Sequence, residues 1–215
     1  MATRKKTDTA SPVDNWLKRE TPHKREALEN ASRHFDNSDH LTVNTLESIY
    51  SQESSFGSKR GKRGTSGPAG DFQLKKMTAA NLGLTTSTLN DERFDIDNAS
   101  AAAGKELKRL HELFTKKATL SKSLKTIPVS DTAERKKFAI AAYNAGEGRI
   151  AKAQQIASNS SKDPEKWIDV SEFLEAAGAS STSSHETREY VDKVSPPTRG
   201  HWVTVKGQHI FIREN

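Results

Sequence analysis

The sequence predicts a mainly α-helical protein with a polar N-terminal arm and a short C-terminal β-hairpin. Three observations carry this. Apolar residues recur at three- and four-residue spacing through most of the stretch 21–195. Residues 1–20 are polar, open on Met1-Ala2-Thr3-Arg4-Lys5-Lys6, and hold a Ser11-Pro12 step, as a disordered basic arm does. After Pro196-Pro197 the period changes to two: Trp202-Val203-Thr204-Val205 and Gln208-His209-Ile210-Phe211-Ile212 flank Lys206-Gly207, which reads as a hairpin. The expected organisation is an arm over 1–20, a helical domain over 21–195 and a hairpin extension over 196–215.

In the arm, only Trp16-Leu17 suggests a turn of helix. Thr21-Pro22 has the form of an N-cap followed by proline at the first helical position. Ala27, Leu28, Ala31 and Phe35 give the helix that follows an apolar stripe, and Asn37-Ser38-Asp39 closes it. The next helix spans about 42–55. Val43, Leu46, Ile49, Tyr50 and Glu53 share one face, which is apolar apart from Glu53. A carboxylate on a buried face is costly unless paired or protonated. Burial raises its pKa, and a carboxyl still protonated near neutral pH can serve as a general acid. An ion pair that merely fixes a helix end would explain the same placement. Glu47, on another face, reads as an ordinary solvated acid.

The stretch 57–70 is rich in glycine and proline, so an irregular loop is expected. Its Lys59, Arg60, Lys62 and Arg63 suit a solvated loop, a nucleic-acid contact, or attraction of an anionic substrate. Asp71-Phe72-Gln73-Leu74 leads into a helix carrying Met77, Ala80 and Leu82, stopped by Gly83. A long helix is expected over 91–114 from Ile96, Ala99, Ala103, Leu107, Leu110 and Phe114, despite Gly104. The basic stretch 116–126 reads as a connector. Asp131-Thr132-Ala133-Glu134 has capping-box spacing and opens a helix through Phe138, Ala141 and Ala142. Gly146 and Gly148 interrupt it, and another helix follows over 150–157. Trp167, Val170, Phe173 and Leu174 form a further amphipathic segment, 176–184 reads as a loop, and 185–194 as a final helix with Tyr190 and Val191 inward.

Composition excludes several classes. There is no cysteine, so neither a disulfide framework nor a thiolate metal site is available. The seven histidines are scattered without a His-Glu-x-x-His pattern, so neither a metal nor a cofactor is expected; His201 and His209 read as strand residues. The net charge of +6 favours a polyanionic partner but does not choose among nucleic acid, anionic membrane and wall polymer. No apolar run is long enough to span a bilayer, and no apolar h-region follows the basic N-terminus, so a secretory signal peptide is not expected. The basic stretches lack interleaved aromatic residues, which argues against specific nucleic-acid binding.

Four segments then stand in order: Gln52-Glu53-Ser54, Gly67-Pro68-Ala69-Gly70-Asp71-Phe72-Gln73-Leu74, Ala142-Tyr143-Asn144-Ala145-Gly146, and Glu186-Thr187-Arg188-Glu189-Tyr190-Val191. Together they resemble the soluble lytic transglycosylase family of the lysozyme-like superfamily, over about 41–194. The resemblance implies a lysozyme-like helical domain that cleaves peptidoglycan between N-acetylmuramic acid and N-acetylglucosamine, with Glu53 as the single acid and base. It implies a non-hydrolytic product with a 1,6-anhydro end. By the same match Gln73 hydrogen-bonds sugar, Phe72 takes the place of a methionine in the cleft wall, and Tyr143 holds the Glu53 carboxyl in position. Asn144 contacts backbone or substrate, Glu186 is an acid lining the cleft, and Ser54 stands with the substrate-binding residues while more plainly serving as a helix-end hydrogen-bonder.

One departure bears on chemistry. Asp71 replaces an aliphatic residue of the family, and it either faces solvent or enters the cleft as a second carboxylate. In the second case the enzyme would be a hydrolase like the related goose-type lysozymes. An inactive virion or wall-binding structural protein is the alternative from another class. The expected partner is the glycan strand of peptidoglycan, with a virion or secretion partner for the hairpin and a monomeric chain. Synthesis in the cytoplasm without a cleaved signal implies delivery by another route, such as a phage virion or a holin, as for a phage or prophage endolysin.

Overall fold

The computed structural model describes residues 18–195 in full and the backbone of 200–205 and 208–213. Residues 1–17, with most of the expected arm and the turn at Trp16-Leu17, lie outside the described residues, as do 196–199, 206–207 and 214–215. Among the described residues there are eight α-helices: α1 (Pro22–Ser32), α2 (Val43–Ser54), α3 (Lys76–Asn81), α4 (Ile96–Leu113), α5 (Thr132–Ala145), α6 (Glu147–Asn159), α7 (Trp167–Ser171) and α8 (Ser181–Val194). Short 3-10 turns occupy Asn37–Asp39 and Glu92–Phe94. Strands β1 (Gly200–Val205) and β2 (Gln208–Arg213) pair antiparallel, with Gly200 opposite Arg213 and Val205 opposite Gln208. What this pair docks on, and the side chains of His201 and His209, fall outside the described residues.

Helix starts follow local chemistry. The Thr21 side chain accepts from the Lys24 N–H and Pro22 occupies the first turn of α1, where its missing N–H costs nothing. α4 begins later than periodicity suggests. The Asp95 side chain caps it by accepting from the Asn98 N–H at 2.9 Å, and 92–94 is a 3-10 turn before that cap. Asp131 caps α5 through the Glu134 N–H at 3.0 Å. The reciprocal half of the expected capping box is not made, because the Glu134 carboxylate accepts from the Trp167 N–H at 2.8 Å and from Lys137. α8 also starts earlier than expected: the Ser180 hydroxyl accepts from the Ser183 N–H, so the Ser/Thr-rich stretch taken for loop is a capped first turn.

α5 is the central helix. Phe138, Ala139, Ile140, Ala141 and Ala142 are buried in succession, so it is covered on every side, and it packs against α4, α6 and α8. Phe114, Phe138 and Trp167 form an aromatic line with centroids 5.6 and 5.8 Å apart. α1 lies against α4, where Gly104 is needed: a Cβ there would sit 2.8 Å from the Ala31 carbonyl oxygen. Leu46, Ile49 and Tyr50 place one face of α2 in the same core. α8 then packs against both α2 and α5. The C-terminal turns of three helices distant in sequence are thereby brought together.

Candidate active site

Glu53 lies in the last turn of α2, half-buried, on the face whose Leu46, Ile49 and Tyr50 are buried. The Tyr190 hydroxyl donates to Glu53 Oε1 at 2.6 Å. Burial is the main cause that pushes the Glu53 carboxyl up to about 7; the Tyr190 hydrogen bond pulls the other way, and the negative charge of Glu186 adds to the rise. The negative end of a helix dipole also disfavours an ionised carboxyl in the last turn. Ser55, Phe56 and Gly57 follow in the left-handed region, at φ of 50°, 54° and 80°. Two successive non-glycine residues there are uncommon and strained.

The side chains foreseen around Glu53 are largely brought together, with several roles exchanged. Tyr143 does not hold the carboxyl. Its hydroxyl donates to the Phe72 carbonyl at 3.0 Å, and the carboxyl falls to Tyr190, which the sequence suggested only as an inward core residue. Burial and the neighbouring charge of Glu53 both push the Tyr143 hydroxyl pKa well above its ordinary value, so the two groups are close enough to feel each other. Phe72 is not wall but core: it is 1% exposed and stacks on Tyr50 at 5.2 Å. Ser54 is likewise buried and not open to substrate. Its hydroxyl donates to the Asp71 carbonyl at 2.7 Å and accepts from the Gly57 N–H at 3.0 Å, tying the helix end to the following loop. Asn144 Oδ1 accepts from the Thr187 hydroxyl at 2.8 Å, which fastens α5 to α8. Glu186 is exposed, one turn before Tyr190 on α8. Gln73 is half-buried with φ of 47°, and its Nε2 donates to the Gly70 carbonyl at 2.8 Å.

Asp71 neither faces solvent nor stands opposite Glu53. It is 2% exposed, and burial pushes its carboxyl above the ordinary range while Arg60 draws it back. It lines a concavity with Thr21, Lys24, Tyr50, Arg60 and Phe94, a lining that does not include Glu53. Two residues of the basic loop make structural contacts, although Arg63 is exposed and the Arg60 side chain is 40% exposed. Arg60 donates to the Phe94 carbonyl at 3.0 Å, and Arg63 donates to the Asp91 carbonyl at 3.1 Å with its guanidinium 4.8 Å from the Phe94 ring centroid. Lys59 and Lys62 remain exposed. Glu47, expected in solvent, is buried and receives a 2.8 Å hydrogen bond from Arg25 of α1. Among the described residues no group of three or more His, Asp or Glu side chains could hold a metal ion.

The arrangement is one protonatable carboxyl at a strained helix end, oriented by a tyrosine and fastened to a turn that carries a glutamine. The family model for the transglycosylase SLT domain matches residues 31–167. The chain belongs to this family. Its mainly helical architecture agrees with the lysozyme-like fold expected of a member. The membrane-bound lytic murein transglycosylase F of Desulfosudis oleivorans is 32% identical over 108 residues, covering 50% of this chain and 20% of that protein. The protein of the same name from Stutzerimonas stutzeri is 32% identical over 108 residues, covering 50% of this chain and 18% of that protein. The one from Marinobacter nauticus is 46% identical over 41 residues, 19% of this chain and 8% of that protein. The chain thus spans about a fifth or less of the length of these curated relatives. Among the described residues no helix of this family member is long and apolar enough to cross a membrane.

Tyr190 is the residue bonded to the Glu53 carboxyl that sequence reasoning did not assign there. A signal was present: it lies four residues after Glu186 on one helix face, within the segment that carries the resemblance.

Proposed function

We propose that this chain is a peptidoglycan lytic transglycosylase that cleaves the MurNAc–GlcNAc β-1,4 bond without water, using Glu53 as both acid and base. The observation that supports it best is the Glu53 carboxyl held up to about 7 by burial, with the Tyr190 hydroxyl bonded to one of its oxygens. A carboxyl with that pKa is substantially protonated at neutral pH yet ionises readily, as a single group serving both half-reactions must.

In the first half-reaction Glu53 gives its proton to the glycosidic oxygen, and the C1–O bond of the muramoyl residue breaks. The oxygen of that sugar's own N-acetyl group attacks C1 as the leaving sugar departs, so no carboxylate nucleophile is required. Glu53 is then ionised, and the Tyr190 hydroxyl stabilises the anion through a charge-assisted hydrogen bond. In the second half-reaction Glu53 takes the proton of the muramoyl C6 hydroxyl. O6 attacks C1 and displaces the acetamido oxygen, which leaves a 1,6-anhydro end and restores the protonated Glu53. Gln73 is assigned to sugar recognition beside it.

A goose-type hydrolase is the second reading, and one observation favours it: the exposed Glu186 carboxylate lies near enough to Glu53 to raise its pKa. That carboxylate, rather than Asp71, would have to activate water. Mass spectrometry of muropeptides released from purified peptidoglycan by the wild-type protein and by Glu53→Gln separates these outcomes. Anhydro-muramoyl ends from the wild type alone are expected. Reducing ends would replace the transglycosylase with the hydrolase, and no release from several wall types would leave a non-catalytic wall-binding protein.

A further inference from the structure

We propose that Arg93 is a positioning residue: its guanidinium and backbone hold the segment 65–74 so that Gln73 keeps its left-handed conformation beside the Glu53 helix. The inference rests on the reading above in one respect, that Gln73 contacts the glycan.

Arg93 precedes α4 and is among the largest fully buried side chains; the guanidinium and its partner Asp91 are both 0% exposed. An arginine carries five N–H donors, and here all five are engaged. Two form a bidentate pair with Asp91, Nε to Oδ1 at 2.9 Å and Nη2 to Oδ2 at 2.7 Å. The other three go to main-chain carbonyls at the two ends of the segment: Nη1 to Gly67 at 2.9 Å and to Leu74 at 3.0 Å, and Nη2 to Thr65 at 2.9 Å. Asp91 in turn accepts from the Gly64 N–H at 2.8 Å. The middle of the segment lies on the Arg93 backbone. The Asp71 N–H donates to the Arg93 carbonyl at 2.9 Å, and a Cβ on Gly70, whose φ is +81°, would fall 1.9 Å from that oxygen.

The opposite side of the segment is fastened to groups that flank Glu53. Ser54, the next residue on α2, donates to the Asp71 carbonyl, and Tyr143 donates to the Phe72 carbonyl. Gln73 follows directly, at φ of 47°. A non-glycine residue persists there only where its surroundings over-determine it. The carbonyl after it, Leu74, accepts from both Arg93 and the Ala69 N–H. A lysine in place of Arg93 would keep the charge but could not span three carbonyls and a carboxylate from one ammonium. The geometry therefore separates two effects of Arg93: its charge satisfies Asp91, and its planar fork sets the register of the turn.

The test is steady-state cleavage of solubilised glycan strands by wild type, Arg93→Lys, Gln73→Ala and the double variant, each measured well below its own melting temperature. Arg93→Lys is expected to raise KM by about tenfold, the equivalent of one hydrogen bond to sugar, with kcat within about twofold. The alkaline limb of the pH profile should stay where it is, because Glu53 keeps its surroundings. The double variant should match Gln73→Ala alone, since Arg93 acts through Gln73. If Arg93→Lys does not fold, Asp91→Asn, which weakens the same hold, is expected to give the same pattern. An Arg93→Lys enzyme that melts earlier but retains the wild-type KM, or a double variant whose effects multiply, would overturn the inference and leave Arg93 as a stabilising residue. A wild-type KM in Gln73→Ala, with Glu53→Gln inactive, would remove Gln73 from sugar recognition and the inference with it, leaving the assignment of Glu53 intact.

Discussion

Tyr190 and Glu53 stand 137 positions apart in the sequence and meet at 2.6 Å. The tyrosine hydroxyl donates to one carboxyl oxygen of Glu53, and its bond favours the ionised carboxyl while burial favours the neutral one. In the proposed mechanism, activity depends on the balance between the two. Tyr190→Phe should therefore move the alkaline limb of kcat/KM upward, because the pull toward ionisation is gone. It should also lower kcat by about 10- to 100-fold, the worth of a hydrogen bond to a charged group. A pH–rate profile of the variant against wild type checks both.

The wild-type profile itself follows from Glu53. With its carboxyl pushed up to about 7, kcat/KM should fall as pH rises through that value, because the first step needs the protonated form. Glu53→Gln should abolish turnover at every pH.

The same shift has a stability consequence with a definite sign. The folded state holds the Glu53 proton more tightly than the unfolded chain, whose carboxyl titrates near 4.5. Its contribution is fully present below that value and is lost as pH rises through about 7. Glu53→Gln should thus be more stable than wild type at pH 8, by on the order of 2 kcal/mol, with the difference closing near pH 4. Thermal melts of both proteins across pH measure it.

Asp71→Asn should leave the product unchanged, because the concavity that Asp71 lines does not include Glu53. Muropeptide mass spectra of the variant should show the same ends as wild type. A switch of product type would place Asp71 in the reaction after all.

Ser54→Ala should lose about 1–3 kcal/mol of stability, since it strips a buried hydroxyl from both the Asp71 carbonyl and the Gly57 N–H. Chemical denaturation with a fluorescence readout gives the value.

Local structure was legible at several places where one element decided it, though the Asp95 and Ser180 caps that set the starts of α4 and α8 were not read. Thr21-Pro22 announced α1, Asp131 announced α5, and the stripe through Leu46, Ile49 and Tyr50 put Glu53 on a buried face. What could not be read depended on a second element arriving. Glu47 looked solvated because nothing in α2 reveals that Arg25 of α1 lies over it. Tyr143 and Tyr190 are both inward tyrosines near helix ends, and only the packing of α8 against α2 decides which reaches the carboxyl. Asp71 looked like a candidate for the cleft because its neighbours Phe72 and Gln73 match family positions. Its direction is set instead by Arg60 and the side of the loop it occupies. Arg93 fell within an expected long helix, and its role appeared only with the carbonyls of 65–74 folded around it.

α8 is also the last of the eight described helices to leave the ribosome. A chain still being made already carries Glu53, but not the hydroxyl that aims it, nor the Thr187 that joins α5 to α8. On the proposed mechanism, wall-cutting capacity would come with completion of the helical domain rather than with synthesis of the acid, and a ribosome stalled before residue 181 would display a chain without it.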